Sequence, residues 1–258
     1  MTEGQIIHRR VSSADVSEEE WRTRVDLAAC YRLADLYGWS DLTSTHISAR
    51  VSGEDGALLI SPYPMFFDQI RASDLVKVDF DGNVLSDTDC PINSAGLTVH
   101  SAILMARPDV HCAIHTHTVA GMAVGALDCG LLSMTQHALW FHGRIGYHDY
   151  EGIADDIAER ERLARDLGPY GALILRNHGL LTAGSSIPNA FKMMHYLEKS
   201  CQSQLAAMAA GGIEAIRVPS AEVCEHTAEQ YTALSEYGAE DWPGHLQRLD
   251  DLDPSFRN

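Results

Sequence analysis

The stretch Val110-His111-Cys112-Ala113-Ile114-His115-Thr116-His117 contains the two residues on which the interpretation of this sequence depends. Its apolar run predicts a buried β-strand, and His115 and His117 stand two positions apart where that strand ends. Alternate side chains of a strand lie on one face, about 6.6–7 Å apart along it, so both imidazoles can reach one metal ion. Half-buried histidines without any metal show the same spacing, so the pair needs a further ligand.

A second apolar run, Ala172–Leu181, offers that ligand. It is interrupted by Asn177-His178-Gly179, which predicts a buried strand followed by a turn that presents His178. Three protein ligands leave one coordination position for water or substrate, which is typical of catalytic zinc and not of structural zinc. The sequence therefore predicts one divalent metal ion per chain, with zinc as the first choice and iron or manganese as alternatives.

Composition limits the class of protein. The chain has 258 residues and 45% hydrophobic content, and we expect one large domain over 16–240 between an N-terminal arm (1–15) and an acidic tail (241–258). The net charge of −17 argues against nucleic acid and anionic membranes as partners. Neither a spanning apolar run nor a signal-peptide pattern is visible, and no C-x-x-C pair occurs among the six cysteines. A reducing, cytoplasmic location is expected.

Helices and strands are predicted to alternate. A capping box, Ser17-x-x-Glu20, begins a first helix that stops at Gly38, and Ser94 is predicted to cap a helix that stops before Pro108. The other predicted helices are 118–127, 153–167, 189–210 and 220–237, and the early strands are 46–51, 57–61 and a hairpin of 75–80 with 84–86. This order favours an α/β fold with a mixed sheet covered by helices on both faces.

The chain resembles the class II aldolase/adducin family. The resemblance rests on Gly38-Trp39-Ser40-Asp41-Leu42-Thr43 leading to Ile47-Ser48-Ala49-Arg50, on His115-Thr116-His117 and on Asn177-His178-Gly179, and it runs from the first helix to the helix after His178. It implies a three-layer α/β/α sandwich with a mixed central sheet. It also implies a divalent metal ion held by His115, His117 and His178, and a homotetramer with active sites at subunit interfaces.

Three departures from the sugar-phosphate aldolases of that family concern the substrate. His46 stands where those enzymes carry an asparagine that touches the phosphate, and Ser61-Pro62-Tyr63-Pro64 replaces a glycine-containing turn whose N–H groups approach it. In Ser94-Ala95-Gly96, Gly96 takes the place of the catalytic glutamate. We expect a non-phosphorylated small-molecule substrate bound beside His46, Ser61, Tyr63 and Ser94.

The segment 135–151 is dense in proton-transferring groups. On the resemblance it lies near the metal and the subunit boundary, so His137, Tyr147 and His148 are candidates for acid–base catalysis in place of the glutamate. A solvated surface loop is the alternative. Several aromatic residues either line an apolar pocket or pack in the core. They are Tyr63, Phe66, Phe67, Trp140, Phe141, Tyr147 and Tyr150.

A metal ion with an open position can stabilise the negative charge left when a carbon–carbon bond breaks. The sequence thus predicts a lyase, either for decarboxylation of a hydroxylated, aromatic or unsaturated, carboxylic acid or for retro-aldol cleavage of a hydroxy-carbonyl compound. An anionic substrate would meet an acidic protein, so Arg50, Arg144 and Arg176 are candidate local cations. The alternatives are a non-haem iron oxygenase acting on a phenolic compound and an adducin-like binding protein without activity.

Overall fold

The computed structural model describes residues 9–152, 158–234 and 237–258. A seven-stranded sheet lies at its centre, in the order β3-β2-β1-β4-β7-β6-β5. The strands are β1 (His46–Arg50), β2 (Ala57–Ile60), β3 (Val76–Asp79), β4 (Cys112–Thr116), β5 (Gly146–His148), β6 (Ala172–Leu175) and β7 (Gly179–Gly184). Neighbouring strands are antiparallel except β5 and β6, which are parallel. The predicted mixed sheet is confirmed.

Helices cover both faces of this sheet. They are α1 (Glu18–Leu36), α2 (Ser94–Ala106), α3 (Val119–Gly125), α4 (Gln136–Leu139), α5 (Glu159–Leu167), α6 (Ile187–Gly211), α7 (Ala221–Thr232) and α8 (Trp242–Leu252). One apolar core joins the sheet to α1, α3 and α6, and a second joins its other face to α2 and α5. This is the three-layer α/β/α sandwich that the sequence predicts. Among the described helices, none is long and apolar enough to cross a membrane.

Strand alternation determines which residues can meet near the candidate metal ligands. Ile47 and Ile114 belong to the core under α1 and α6. Side chains alternate between the faces of a strand, so His46, Ser48 and His115 point to the opposite face, where α2 lies. The register pairs His46 directly with His115, which brings β1 side chains beside the predicted metal ligands.

Most predicted elements are found within a few residues of their predicted bounds. Ser17 caps α1 by accepting a hydrogen bond from the Glu20 N–H. In a capping box the Glu20 side chain would in turn accept from the Ser17 N–H. Here the Glu20 carboxylate is buried and pairs with Arg24 and Lys77 instead. At α2, Ser94 is the first helical residue, and it is the Asn93 side chain that accepts from the Gly96 N–H.

Two further predictions need correction or lie partly outside the described residues. The predicted hairpin after β3 shrinks to a single bridge between Val78 and Val84, since the Asp79 carboxylate accepts from the N–H groups of Asp81 and Asn83 and closes the turn. The helix predicted over 153–167 begins at Glu159 in the described residues, and positions 153–157 and 235–236 lie outside them.

The segment predicted as an acidic tail packs against α1. Trp242 and Phe256 are buried in the core shared with α1, and the Trp242 indole N–H donates to Asp26. The Ser73 N–H donates to the carbonyl of Asn258. Residues 242–258 therefore help to cover one face of the sandwich, although the division of the chain into arm, domain and tail stays a prediction.

Candidate active site

His115 and His117 lie at the end of β4. His115 is buried inside the strand, between its partners His46 on β1 and Leu181 on β7, whereas His117 follows the last strand residue. Thr118 then caps α3 by accepting from the Gly121 N–H. Both imidazoles therefore lie at the end of β4, where this central strand leaves the sheet.

His178 is placed by the turn between β6 and β7. Asn177 adopts a left-handed conformation with φ of 57°, which asparagine tolerates better than most residues. A Cβ at Gly179 would lie 2.3 Å from the carbonyl oxygen of Thr116, so glycine is required for β7 to approach β4 here. The Asn-His-Gly sequence therefore brings His178 beside His117.

The three histidines predicted as ligands converge. His117 Nε2 lies 2.9 Å from His115 Nε2 and 3.0 Å from His178 Nε2. Two of the rings are oriented by acceptors: His115 Nδ1 donates to the carbonyl of Leu180, and His117 Nδ1 faces a carboxylate oxygen of Asp41 at 3.1 Å. In the tautomer with the proton on Nδ1, each of these two rings turns a lone pair on Nε2 toward a common point. The cluster could hold a metal ion.

Burial keeps two of these imidazoles neutral. It lowers the pKa of His115 well below the ordinary range, and the nearby histidines lower it further. Burial likewise lowers the pKa of His178 to about 4, with smaller effects of His117 and His148. A neutral imidazole is the form that binds metal, so no proton has to be displaced from these two rings at neutral pH.

A cavity of about 350 Å³ opens beside this cluster. Its described wall consists of Thr43, Ser44, His46, Tyr63, Asn93, Val99, His115, His117, Tyr150, Gly152 and His178. Tyr63 and Tyr150 are partly exposed aromatic residues, whereas His46 and His115 are buried. The volume is at the small end of the range for ligand sites, about 300–1,000 Å³.

His137 and Tyr147 lie away from the metal-ligand cluster, whereas His148 lines a small pocket together with His178. His137 lines a separate cavity of about 550 Å³ and packs against Tyr196, with ring centroids 4.1 Å apart and ring planes tilted by 58°. Tyr147 accepts from the Leu131 N–H through its hydroxyl, and His148 is held between the carboxylates of Asp166 and Glu159. None of the three belongs to the described wall of the 350 Å³ cavity, and their catalytic role stays a prediction.

Of the predicted substrate-binding residues, His46 and Tyr63 line the cavity. Ser61 and Ser94 are outside its described wall; the Ser61 N–H donates to the Tyr31 hydroxyl. Of the aromatic residues expected either in a pocket or in the core, Tyr63 and Tyr150 are in this wall, and Phe67 and Phe141 are buried in the core.

The expected local cations are used for other contacts. Arg50 donates to main-chain carbonyls, including that of Val110, because its side chain lies against the end of α2. Arg144 pairs with Glu225, and Arg176 stacks on the Tyr147 ring. No lysine or arginine occurs in the wall of the cavity as far as the described residues go.

Some residues at the site were not predicted. Asp41 orients His117 and lies in the segment that carries the family resemblance, but its role requires contact across 76 residues. His100, on α2, bonds both His46 Nδ1 (2.9 Å) and Ser48 Oγ (2.5 Å). Burial lowers the pKa of His100 to about 3, which keeps it neutral. Only helix–sheet packing brings these groups together.

Comparison with known proteins gives consistent results. Residues 25–205 match the family model described as the class II aldolase and adducin N-terminal domain. An aldolase II superfamily protein from Pseudomonas syringae is 46% identical, with a TM-score of 0.91 over 95% of this chain and 98% of that one. Rat alpha-adducin is 45% identical over 192 residues, which is 73% of this chain and 26% of that protein. L-Fuculose 1-phosphate aldolase from Glaciozyma antarctica PI12 is 26% identical, with a TM-score of 0.81 over 97% of both chains.

Proposed function

Because the chain belongs to the class II aldolase and adducin family, we propose that it is a divalent-metal-dependent carbon–carbon lyase that acts on a small oxygenated compound. The observation that carries the proposal is the convergence of three imidazole nitrogens, 2.9 and 3.0 Å apart, at the edge of a cavity. His115, His117 and His178 are the proposed ligands.

The residues present fit a metal ion. His115 and His117 use their Nδ1 protons elsewhere, so their Nε2 lone pairs face each other and would repel unless a cation lay between them. A single proton could bridge one pair of nitrogens, whereas a metal ion can meet all three. Ligands about 2.0–2.1 Å from a tetrahedral zinc are about 3.3 Å apart, close to the 2.9 and 3.0 Å that separate His117 Nε2 from the other two Nε2 atoms. Zinc is the proposed ion, with iron or manganese as alternatives.

The chain's own groups would bind and orient the substrate. When bound, the ion would supply a Lewis acid that stabilises negative charge on substrate oxygen. The hydroxyls of Thr43 and Ser44 and the amide of Asn93 lie in the same wall and can orient further oxygens. Tyr63 and Tyr150 can stack on a planar group and exclude water from it.

Decarboxylation of a hydroxylated aromatic acid is the reaction we propose first. The two tyrosines suit an aromatic ring, and the described wall has no lysine or arginine for a phosphate. The small volume favours a single-ring compound. Retro-aldol cleavage of a small hydroxy-carbonyl compound uses the same ligands and remains the second reaction within this class.

We also propose a cytoplasmic homotetramer with active sites at subunit interfaces. His137 lies apart from the metal-ligand cluster of its own chain, so a catalytic role for it requires the cavity of a second copy. Leu42 and Val119, close in sequence to Asp41 and His117, are 70% and 80% exposed, as expected of residues that another subunit covers. The six cysteines are free thiols, which suits a reducing compartment.

A binding role without catalysis is the second candidate. The 45% identity with rat alpha-adducin over 73% of this chain favours it. If the protein only binds a partner, replacing His115 should affect stability alone. If it is a lyase, replacing His115 should also abolish metal binding.

Elemental analysis of protein purified without chelator or affinity metal is the first test. We expect one metal ion per chain, and none in His115→Ala or His117→Ala, while His226→Ala on the surface of α7 retains it. Full metal retention by His117→Ala would contradict the site. A panel of phenolic acids and hydroxy-aldehydes then follows with and without air: anaerobic release of carbon dioxide or aldehyde supports the lyase, and strict dependence on oxygen with iron supports the oxygenase.

A further inference from the structure

A buried chain of hydrogen bonds runs from the sheet to the wall of the cavity. Ser48 Oγ lies 2.5 Å from His100 Nδ1, and His100 Nε2 lies 2.9 Å from His46 Nδ1. Ser48 and His100 are 0% exposed and His46 is 5% exposed. The last member, His46, also lines the cavity beside His115.

The chain of bonds leaves one nitrogen for a ligand. Both nitrogens of His100 and Nδ1 of His46 are occupied within the chain. His46 Nε2 has no protein hydrogen-bond partner among the described residues. It is also absent from the fully buried side-chain atoms that lack a partner, so it reaches accessible space. A polar atom in this position is satisfied by whatever occupies the cavity.

Gly96 makes room for this ring. A Cβ at position 96 would lie 2.4 Å from His46 Cδ2 and 2.8 Å from His46 Nε2. No side chain fits there while His46 keeps its position. The ring of His46 therefore stands in the volume that a side chain at position 96 would need, and it brings its own proton-accepting nitrogen to that place.

We propose that His46 is the proton-transferring residue of this cavity, and that His100 and Ser48 position it. The inference rests on the proposed lyase function. It assigns one polarity to the chain of bonds: His46 Nδ1–H donates to His100 Nε2, and His100 Nδ1–H donates to Ser48 Oγ. His46 Nε2 then presents a lone pair, which makes it a base.

The proton balance is simple for both reactions. In retro-aldol cleavage, His46 Nε2 takes the proton of the substrate hydroxyl, the carbon–carbon bond breaks to leave a carbonyl, and the bond's electron pair stays on the other carbon. His46 then returns the proton to that carbon. In decarboxylation of a hydroxylated acid, His46 likewise takes the hydroxyl proton, carbon dioxide leaves without the electron pair, and the proton on Nε2 goes to the carbon. One further proton from solvent restores the hydroxyl.

Exchange of carbon-bound hydrogen is the test, because it needs the base but no cleavage. The metal-loaded, full-length protein is incubated with hydroxyacetone in D₂O, and loss of the hydroxymethyl proton signal is followed by NMR. We expect His46→Gln to lower the exchange rate by about 10²- to 10⁴-fold, the usual contribution of a general base, with metal content unchanged. His226→Gln, an exposed histidine on α7, should exchange at the wild-type rate.

Gly96→Ala tests the role of His46 by displacing its ring instead of replacing it. Its methyl group displaces the His46 ring, so exchange should fall as in His46→Gln while metal is retained. In a His46→Ala background, adding Gly96→Ala should cause no further loss of exchange or of Tm. Wild-type exchange in metal-loaded His46→Gln would overturn the role of His46 alone. No exchange in the metal-loaded wild type would overturn the role of His46 in the retro-aldol reaction, whereas anaerobic release of carbon dioxide or aldehyde tests the lyase separately.

A spectroscopic measurement reports on the positioning residues without any turnover. Nitrogen-15 NMR of histidine-labelled protein, with His46→Gln to assign the signals, should show the His46 proton on Nδ1. Ser48→Ala removes the acceptor for His100, so it should mix the two tautomers of His46 and lower exchange, with metal content unchanged. A His46 proton on Nε2 in the wild type, or a tautomer unaffected by Ser48→Ala, would contradict the polarity that we assign.

Discussion

Asp41 provides the most direct test of how the metal site is organised. Its carboxylate lies 3.1 Å from His117 Nδ1, and it is expected to hold the proton there and the lone pair on Nε2. Removing such an outer partner of a metal ligand costs about 10- to 100-fold in metal affinity. Asp41 is 49% exposed, so water can replace part of its interaction. We therefore expect about 10-fold weaker binding for Asp41→Asn, which keeps an oxygen acceptor, and nearer 100-fold for Asp41→Ala.

The assay is competition for zinc between the protein and a chromophoric chelator at neutral pH. A 10-fold change corresponds to about 1.4 kcal/mol, well within its range. Asp128→Asn, an exposed carboxylate after α3, is the matched control and should bind like the wild type. If Asp41→Ala bound zinc as tightly as the wild type while His117→Ala lost it, the orientation of His117 by Asp41 would not contribute, and the argument from fixed tautomers would be refuted.

Four other predictions concern stability, pH, assembly and turnover. Arg24→Ala should lower the free energy of unfolding by about 3–5 kcal/mol in urea, because it removes the fully buried guanidinium that pairs with Glu20 and leaves that buried carboxylate with Lys77 alone. A change under about 1 kcal/mol would be inconsistent with a buried pair. Burial lowers the pKa of His195 to about 4, so the unfolded chain binds its proton first and stability should fall as the pH drops from about 6.5 to 4. His195→Phe should make this decrease in stability with falling pH less steep. If urea titrations gave the wild type and the variant the same pH dependence of the free energy of unfolding, the contribution of His195 would be refuted. Val119→Asp should reduce the molar mass found by light scattering without loss of helical circular dichroism, and an unchanged mass would place Val119 outside any interface. His137→Phe should lower turnover with metal retained, and unaltered turnover would remove His137 from the mechanism.

Local patterns predicted the elements that carry the site. The apolar run before His115 predicts β4, and Asn177-His178-Gly179 predicts the turn between β6 and β7. Both signals are local, because strand periodicity and turn residues depend on neighbours in sequence. The N-cap of α1 at Ser17 was predicted for the same reason. The capping box was only half right, since Glu20 is drawn into an ion pair with Arg24 and Lys77.

The cavity could not be derived from such patterns. His46, Ser61, Tyr63 and Ser94 were all expected near the substrate, but of these only His46 and Tyr63 are in the described wall of the cavity. The resemblance indicated that residues 46 and 96 differ from those of the sugar-phosphate aldolases. It did not indicate that His46 and Gly96 contact each other. The His46 ring occupies the space that a side chain at position 96 would need, and only the packed structure shows that the two residues share this space.

The sequence by itself determined the three histidines, the alternation of strands and helices and the acidic character of the chain, because periodicity, turn chemistry and charge are local or additive properties. Only the tertiary structure decided which partners orient those histidines and which groups line the cavity beside them. Asp41 meets His117 across 76 residues, and His46 meets His100 across 54. Contacts of this kind depend on strand register and on the packing of α2 against the sheet, and these are set by the whole core.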